Sequence, residues 1–67
     1  MAASYKKLWK LLIDKDMKKQ DLAKVAHISN YTISKLAKGE NVTTDILGRI
    51  CQALDCNIDD IMEFVEQ

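Results

Sequence analysis

Residues 18–39, KKQDLAKVAHISNYTISKLAKG, decide how this chain is read. They predict two short helices joined by a turn whose only task is to set an angle. Leu22, Ala23 and Ala26 give the first helix an apolar stripe, and Ile28, Ile33 and Leu36 give the second a stripe that meets it. Ala23 matters because helices crossing steeply within a few residues need a small side chain where their backbones nearly touch. His27 occupies the turn. Such a turn wants a residue at positive φ, usually Gly, and His is one of the few others enriched there. Ser29 is a good N-cap for the second helix, and Gly39 supplies a positive-φ C-cap. The face left outward carries Asn30, Tyr31, Ser34 and Lys35, which is the chemistry of reading something rather than of packing a core.

Working outward, Ser4 is placed to cap a first helix over Tyr5–Lys15. Its apolar positions Leu8, Trp9, Leu11, Leu12 and Ile13 cover more surface than a solvent-facing helix needs, and Trp9 reads as a core anchor. The central pair is expected at Lys19–Ala26 and Asn30–Ala37. Thr43 caps a fourth helix, Thr44–Leu54, whose apolar set is Ile46, Leu47, Ile50, Cys51 and Leu54. Asn57 and Asp60 have the spacing of a capping box and open a fifth helix over Ile58–Val65. There Ile58, Ile61, Met62 and Val65 fall at i, i+3, i+4 and i+7. Phe64 lies off that stripe and is the candidate dimer contact. No strand signal, internal repeat or Gly-rich phosphate loop is present. The expectation is an all-α, compact five-helix bundle forming a single domain over residues 1–67.

Sixty-seven residues bury only about 60% of the unfolded surface, too thin a core to spare volume for an active-site cavity. Apolar residues make up 48% of the chain and proline is absent, which favours compact helix over disorder. MAASYKK has no long apolar run and Lys10 breaks LWKLLI, so signal-peptide and transmembrane readings fail and a cytoplasmic protein is expected. The net charge of zero conceals a gradient. Residues 1–42 hold nine lysines against four carboxylates, and residues 43–67 one arginine against six, a surplus and a deficit of five. One basic binding face would produce such an asymmetry. Cys51 and Cys56 fall on different faces in helical spacing, with the second expected past the helix end, and with the distant His27 they do not make a zinc site; both read as small hydrophobes in a reducing compartment. His27 lacks a partnered acid or nucleophile, and the adjacent Asp59 and Asp60 serve as helix-start dipole partners. No catalytic residue, metal or cofactor is expected, and the chain is not read as an enzyme.

The segments LWKLLIDKDMKKQDLAK (8–24), TISKLAKGENVTTD (32–45) and RICQALDCNIDDIMEFV (49–65), in this order and at these intervals, resemble the Cro/CI-type helix-turn-helix regulators, the xenobiotic-response-element-like (XRE) family. The similarity spans Leu8–Val65 and is nearest to a single-domain branch of small bacterial and mobile-element regulators. It implies a lambda-repressor-like fold with helices 2 and 3 as the helix-turn-helix. The family places a polar residue, usually Gln, where this chain has Lys19, and a capping Ser or Thr where it has Lys18. Its small crossing residue matches Ala23, its turn Gly is replaced by His27, and its buried β-branched residue matches Ile33. Its base-reading positions fall on Asn30, Tyr31 and Lys35, with Thr32 and Ser34 beside them. Lys38 matches a position that touches backbone phosphate, and Asn41 and Thr43 follow on that side.

These residue types suit the implied role. Asn30 has the donor and acceptor for adenine N6/N7, and Lys35 a donor for guanine O6/N7. Tyr31 either packs its ring on a thymine methyl or gives its hydroxyl to a phosphate. Lys18, Lys19 and Lys38 neutralise phosphates and set register without reading sequence. The leading expectation is a sequence-specific regulator, acting as a repressor on a double-stranded DNA operator. It is expected to work as a homodimer, because one recognition helix reads too few base pairs to be selective. The alternative is a protein-interaction module, antitoxin-like or antirepressor-like, binding the product of a neighbouring gene through the acidic C-terminal half.

Overall fold

Among the described residues the four α-helices end in the same way, and that repetition builds the fold. The computed structural model describes residues 2–66; the two end residues of the expected 1–67 domain lie outside that range. In chain order the elements are strand β1 (Ala2–Ser4), α1 (Lys6–Asp14), α2 (Lys19–Ala26), α3 (Asn30–Ala37), α4 (Thr44–Leu54), a 3₁₀ turn (Ile58–Asp60) and strand β2 (Glu63–Val65). Past each α-helix one residue turns left-handed: Asp16 (φ 57°), His27 (φ 56°), Gly39 (φ 74°) and Asp55 (φ 52°). The next amide then donates back into the last turn, Met17 to Leu12, Ile28 to Ala23, Glu40 to Lys35 and Cys56 to Cys51, at 2.9–3.0 Å. This is the Schellman reversal, built once on glycine and three times on residue types that tolerate positive φ.

The reversals fold the amphipathic helices onto one core. Leu8 and Leu12 of α1, Leu22 and Ala26 of α2, Ile33 and Leu36 of α3, and Leu47, Ile50 and Leu54 of α4 are buried, together with Tyr5, Ile28 and Ile61. Leu8, Leu22, Leu36, Ile50 and Ile61 are fully enclosed, and among the described residues no polar or charged residue is buried. Burial pushes the Tyr5 phenol above its ordinary pKa. Ser29 Oγ accepts from the Thr32 amide at 3.2 Å and Thr43 Oγ1 from the Ile46 amide at 3.3 Å, so both expected N-caps are in place.

Three expectations are corrected. The fifth helix over Ile58–Val65 is not formed. The Asp60 carboxylate does accept from the Asn57 amide at 2.9 Å, but the helix stops after one 3₁₀ turn. The chain then becomes β2, which pairs antiparallel with β1 in the register Ala2↔Val65, Ala3↔Phe64, Ser4↔Glu63. Phe64 and Val65 favour strand and meet a backbone partner here. Of the supposed helical stripe only Ile61 is buried; Ile58 stays 48% and Val65 39% exposed. The architecture is therefore four helices with a two-stranded sheet, mostly helical rather than all-α. Ser4, read as the first N-cap, lies in β1; α1 starts after Tyr5 with no side-chain cap.

Cys56 lies past the end of α4, as expected, yet beside Cys51. Helical spacing alone separates Cys51 from Cys56, but the reversal at Asp55 returns the second onto the first. Both thiols are free and half-buried, and burial, reinforced by Cys51 alongside, pushes the Cys56 thiol up. Finally, charge is less segregated in space than along the chain. Lys7 Nζ donates to the Asp59 carbonyl at 3.1 Å and lies 3.5 Å from Glu63 Oε2, so this lysine ties α1 to the acidic C-terminal segment.

One stability consequence follows from His27. A non-glycine residue at φ 56° carries steric strain that glycine lacks, partly offset by glycine's larger unfolded-state entropy. His27→Gly is therefore expected to stabilise by roughly 0.5–1 kcal/mol, the left-handed strain less glycine's entropy term, a gain of several degrees in a thermal melt. An unchanged or lower Tm would contradict this account of the turn.

Candidate nucleic-acid interface

The turn between α2 and α3 is held from three sides. The Ile28 amide donates to the Ala23 carbonyl at 3.0 Å, and Ala23 is half-buried against the core. Ile28, Ile33 and Leu36 face inward. From α4, Arg49 Nη1 donates to the His27 carbonyl at 3.1 Å while its Nε contacts Asp45 Oδ2 at 3.1 Å. Being exposed, that ion pair contributes less than about 1 kcal/mol, but it orients a guanidinium that clamps the turn. The pair's i, i+4 spacing was visible in the sequence; its reach to the turn was not.

With Ile33 turned inward, the opposite surface of α3 is free. Asn30 and Ser34 are exposed, Tyr31 is 74% exposed and Lys35 is half-buried. Lys35 Nζ lies 5.8 Å from the Tyr31 ring centroid, one helical turn along. Thr32 stands apart from this set. Its hydroxyl lies 3.0 Å from Ser29 Oγ and belongs to the helix cap. Lys18, Lys19 and Gln20, at the start of α2, join Asn30, Ile33 and Ser34 around an open concavity of about 530 Å³. Gln20 was not singled out from the sequence; its polar amide beside two lysines is the signal that marks it.

Lys18 cannot cap with its own ammonium, which has no acceptor. Instead its amide donates to Asp21 Oδ2 at 2.9 Å. That carboxylate in the first turn also suits the helix dipole, leaving the two lysine side chains exposed. At the other end of α3, Lys38 is exposed beside Gly39. Asn41 shares a second concavity with Lys35, Glu40 and Phe64. The exposed Thr43 keeps its hydroxyl proton available because its oxygen serves as acceptor in the α4 cap. Asn30, Ser34, Lys18 and Lys19 therefore line one concavity, with Tyr31 and Lys35 paired on the same helix; Lys38, Asn41 and Thr43 are exposed in the segment that follows. Phe64, 65% exposed on β2, sits at that end.

Among the described residues no helix is long and apolar enough to cross a membrane. No curated protein matches the sequence. A crystal structure of the transcriptional regulator VanUg (Form II) superposes with a TM-score of 0.94 at 47% identity, over 98% of this chain and 88% of that one. The family model described as the Cro/C1-type HTH DNA-binding domain matches residues 7–67. With the helix-turn-helix geometry in place and the match spanning all but the first residues, the chain belongs to the Cro/C1-type helix-turn-helix DNA-binding domain family.

Proposed function

We propose that this protein is a sequence-specific transcriptional repressor that lays α3 in the major groove as one half of a dimer. The observation that carries the reading is the single exposed face on which Lys18 and Lys19 of α2 meet Asn30, Ser34 and their neighbours on α3. In such docking the recognition helix presents its N-terminal residues to base edges while the preceding helix meets the backbone. Asn30 pairs with adenine and Lys35 with guanine. The Tyr31 ring, already beside Lys35, packs on a thymine methyl. Lys18, Lys19 and Lys38 take phosphates, helped by Asn41 and Thr43. Similarity to a transcriptional regulator at 47% identity supports the regulatory role, and a dimer seated on an operator represses by excluding polymerase.

The molecule measures 31 × 23 × 18 Å, so two abutting copies are needed to address half-sites about 34 Å apart. Phe64 supports an interface at the β-edge. It lies past the C-terminal end of α3 and beside an apolar groove of about 550 Å³ lined by Tyr5, Val42, Leu47 and Met62. Sedimentation with and without duplex tests this: a dimer on DNA supports it, and a one-to-one complex at saturation overturns it. The same groove favours a second reading, in which an antitoxin-like or antirepressor-like partner occupies it. A neighbouring gene product retained by the protein without DNA would separate the two.

Fluorescence anisotropy against duplex from the gene's own upstream region tests DNA binding itself. Affinity that falls steeply with salt and exceeds that for scrambled duplex is expected; no binding at low ionic strength would refute the function. In the same assay Lys19→Ala is expected to weaken binding to every sequence and to reduce the log–log salt slope by about 1. Weakening confined to the operator, with the slope unchanged, would remove Lys19 from the phosphate contacts.

A further inference from the structure

Lys19 opens α2, where exposed backbone amides already carry positive character and a lysine gains nothing from the dipole. Its ammonium is nonetheless placed. Lys19 Nζ lies 4.7 Å from the ring centroid of Trp9, which comes from α1. Trp9 is half-buried and packs against the core, so its ring is held, while Lys19 itself is exposed. A cation within about 6 Å of an indole face is attracted by the ring quadrupole, and Trp is the strongest of the aromatic partners.

From this contact, and resting on the DNA-binding reading, we propose that Trp9 is a positioning residue for DNA. Its indole holds the Lys19 ammonium at the rim of the α2–α3 concavity, so an incoming phosphate meets a charge already in place. A lysine on a flexible four-carbon stem otherwise samples many rotamers and is ordered only on contact. The indole has no hydrogen-bond acceptor and no negative charge, so it leaves the ammonium's three donors open to a phosphate. It therefore restricts the ammonium without consuming it. Lys35 over Tyr31, at 5.8 Å, is a looser instance within α3. The Trp9–Lys19 pair differs in joining two helices, so it also fixes where the start of α2 stands relative to α1.

The test uses the full chain, Trp9→Leu, Trp9→Phe, Lys19→Met and the Trp9→Leu/Lys19→Met double variant, each titrated with the duplex bound best by wild type. Trp9→Leu is expected to weaken binding about two- to fivefold, the fold-change equivalent of an exposed cation–π contact, with Trp9→Phe intermediate. Because the Lys19 charge remains, the salt slope of Trp9→Leu stays at the wild-type value, whereas Lys19→Met lowers it by about 1. In the Lys19→Met background Trp9→Leu is expected to cost nothing further. As Trp9 is the sole tryptophan, Lys19→Met should also shift its fluorescence in the DNA-free protein. Equal losses from Trp9→Leu in both backgrounds, or unchanged Trp9 emission in Lys19→Met, would reduce Trp9 to a packing residue and overturn the inference. Failure of wild type to bind any duplex would sink this proposal and the regulator reading together; loss of coupling with binding intact sinks this one alone.

Discussion

Leu22→Ala is expected to lower the melting temperature by more than 10 °C and to abolish tight DNA binding at 37 °C. Leu22 is fully enclosed, and removing a leucine side chain from such a site costs about 2–5 kcal/mol through lost transfer energy and the cavity left behind. A 67-residue chain has a total stability of only about 3–10 kcal/mol. Each kcal/mol shifts Tm by about 4–8 °C at this size. The loss falls where function is built, because Leu22 holds α2 under the lysines at its start and against the stripe of α3. Circular-dichroism melts decide the matter. A fall below 5 °C would mean that the α2–α3 packing contributes little and that the turn angle is set elsewhere.

Asn30→Ala is expected to leave the melt unchanged, since Asn30 is exposed, and to cost about 1–3 kcal/mol on the operator alone. A bidentate amide–adenine contact is lost only where an adenine is present, so preference relaxes at that base pair while binding to random duplex is unaffected. Anisotropy titrations on operator, single-base variants and scrambled duplex measure all three. Equal loss on every sequence would move Asn30 from base reading to phosphate positioning.

These two variants act on the part of the molecule that was most legible in the sequence. The stripes of α2 and α3 repeat with helical period, Ser29 and Gly39 punctuate them, and His27 replaces glycine at a position whose φ of 56° one of few side chains tolerates. Local chemistry was sufficient there. It failed where partners are remote. The C-terminal segment repeats its apolar residues at helical spacing, yet β2 pairs with a strand at the opposite end of the chain. Three-residue strands are too short to show an alternating pattern. Spacing places Cys56 past the end of α4 but does not show that the reversal at Asp55 returns it onto Cys51. The charge gradient pointed to a basic face, but Lys7 turns to Asp59 and Glu63. The proposed DNA-facing surface rests on Lys18, Lys19, Lys35 and Lys38 instead. In the site, Lys18 stands where a capping Ser or Thr is usual, and its amide turns instead to Asp21, while the Thr32 hydroxyl also completes the Ser29 cap; neither bond shows in residue types alone.

The central claim is that the exposed surface formed by α3 and the start of α2 is the surface that meets DNA. An amide-resolved NMR titration of the labelled protein with its operator duplex addresses it most directly. The account predicts that the largest shift changes fall on residues 18–20, 30–35 and 38–43, and that they fade as salt is raised. Changes centred instead on Ile58 and Asp59, with Asn30 and Lys19 unmoved, would contradict it.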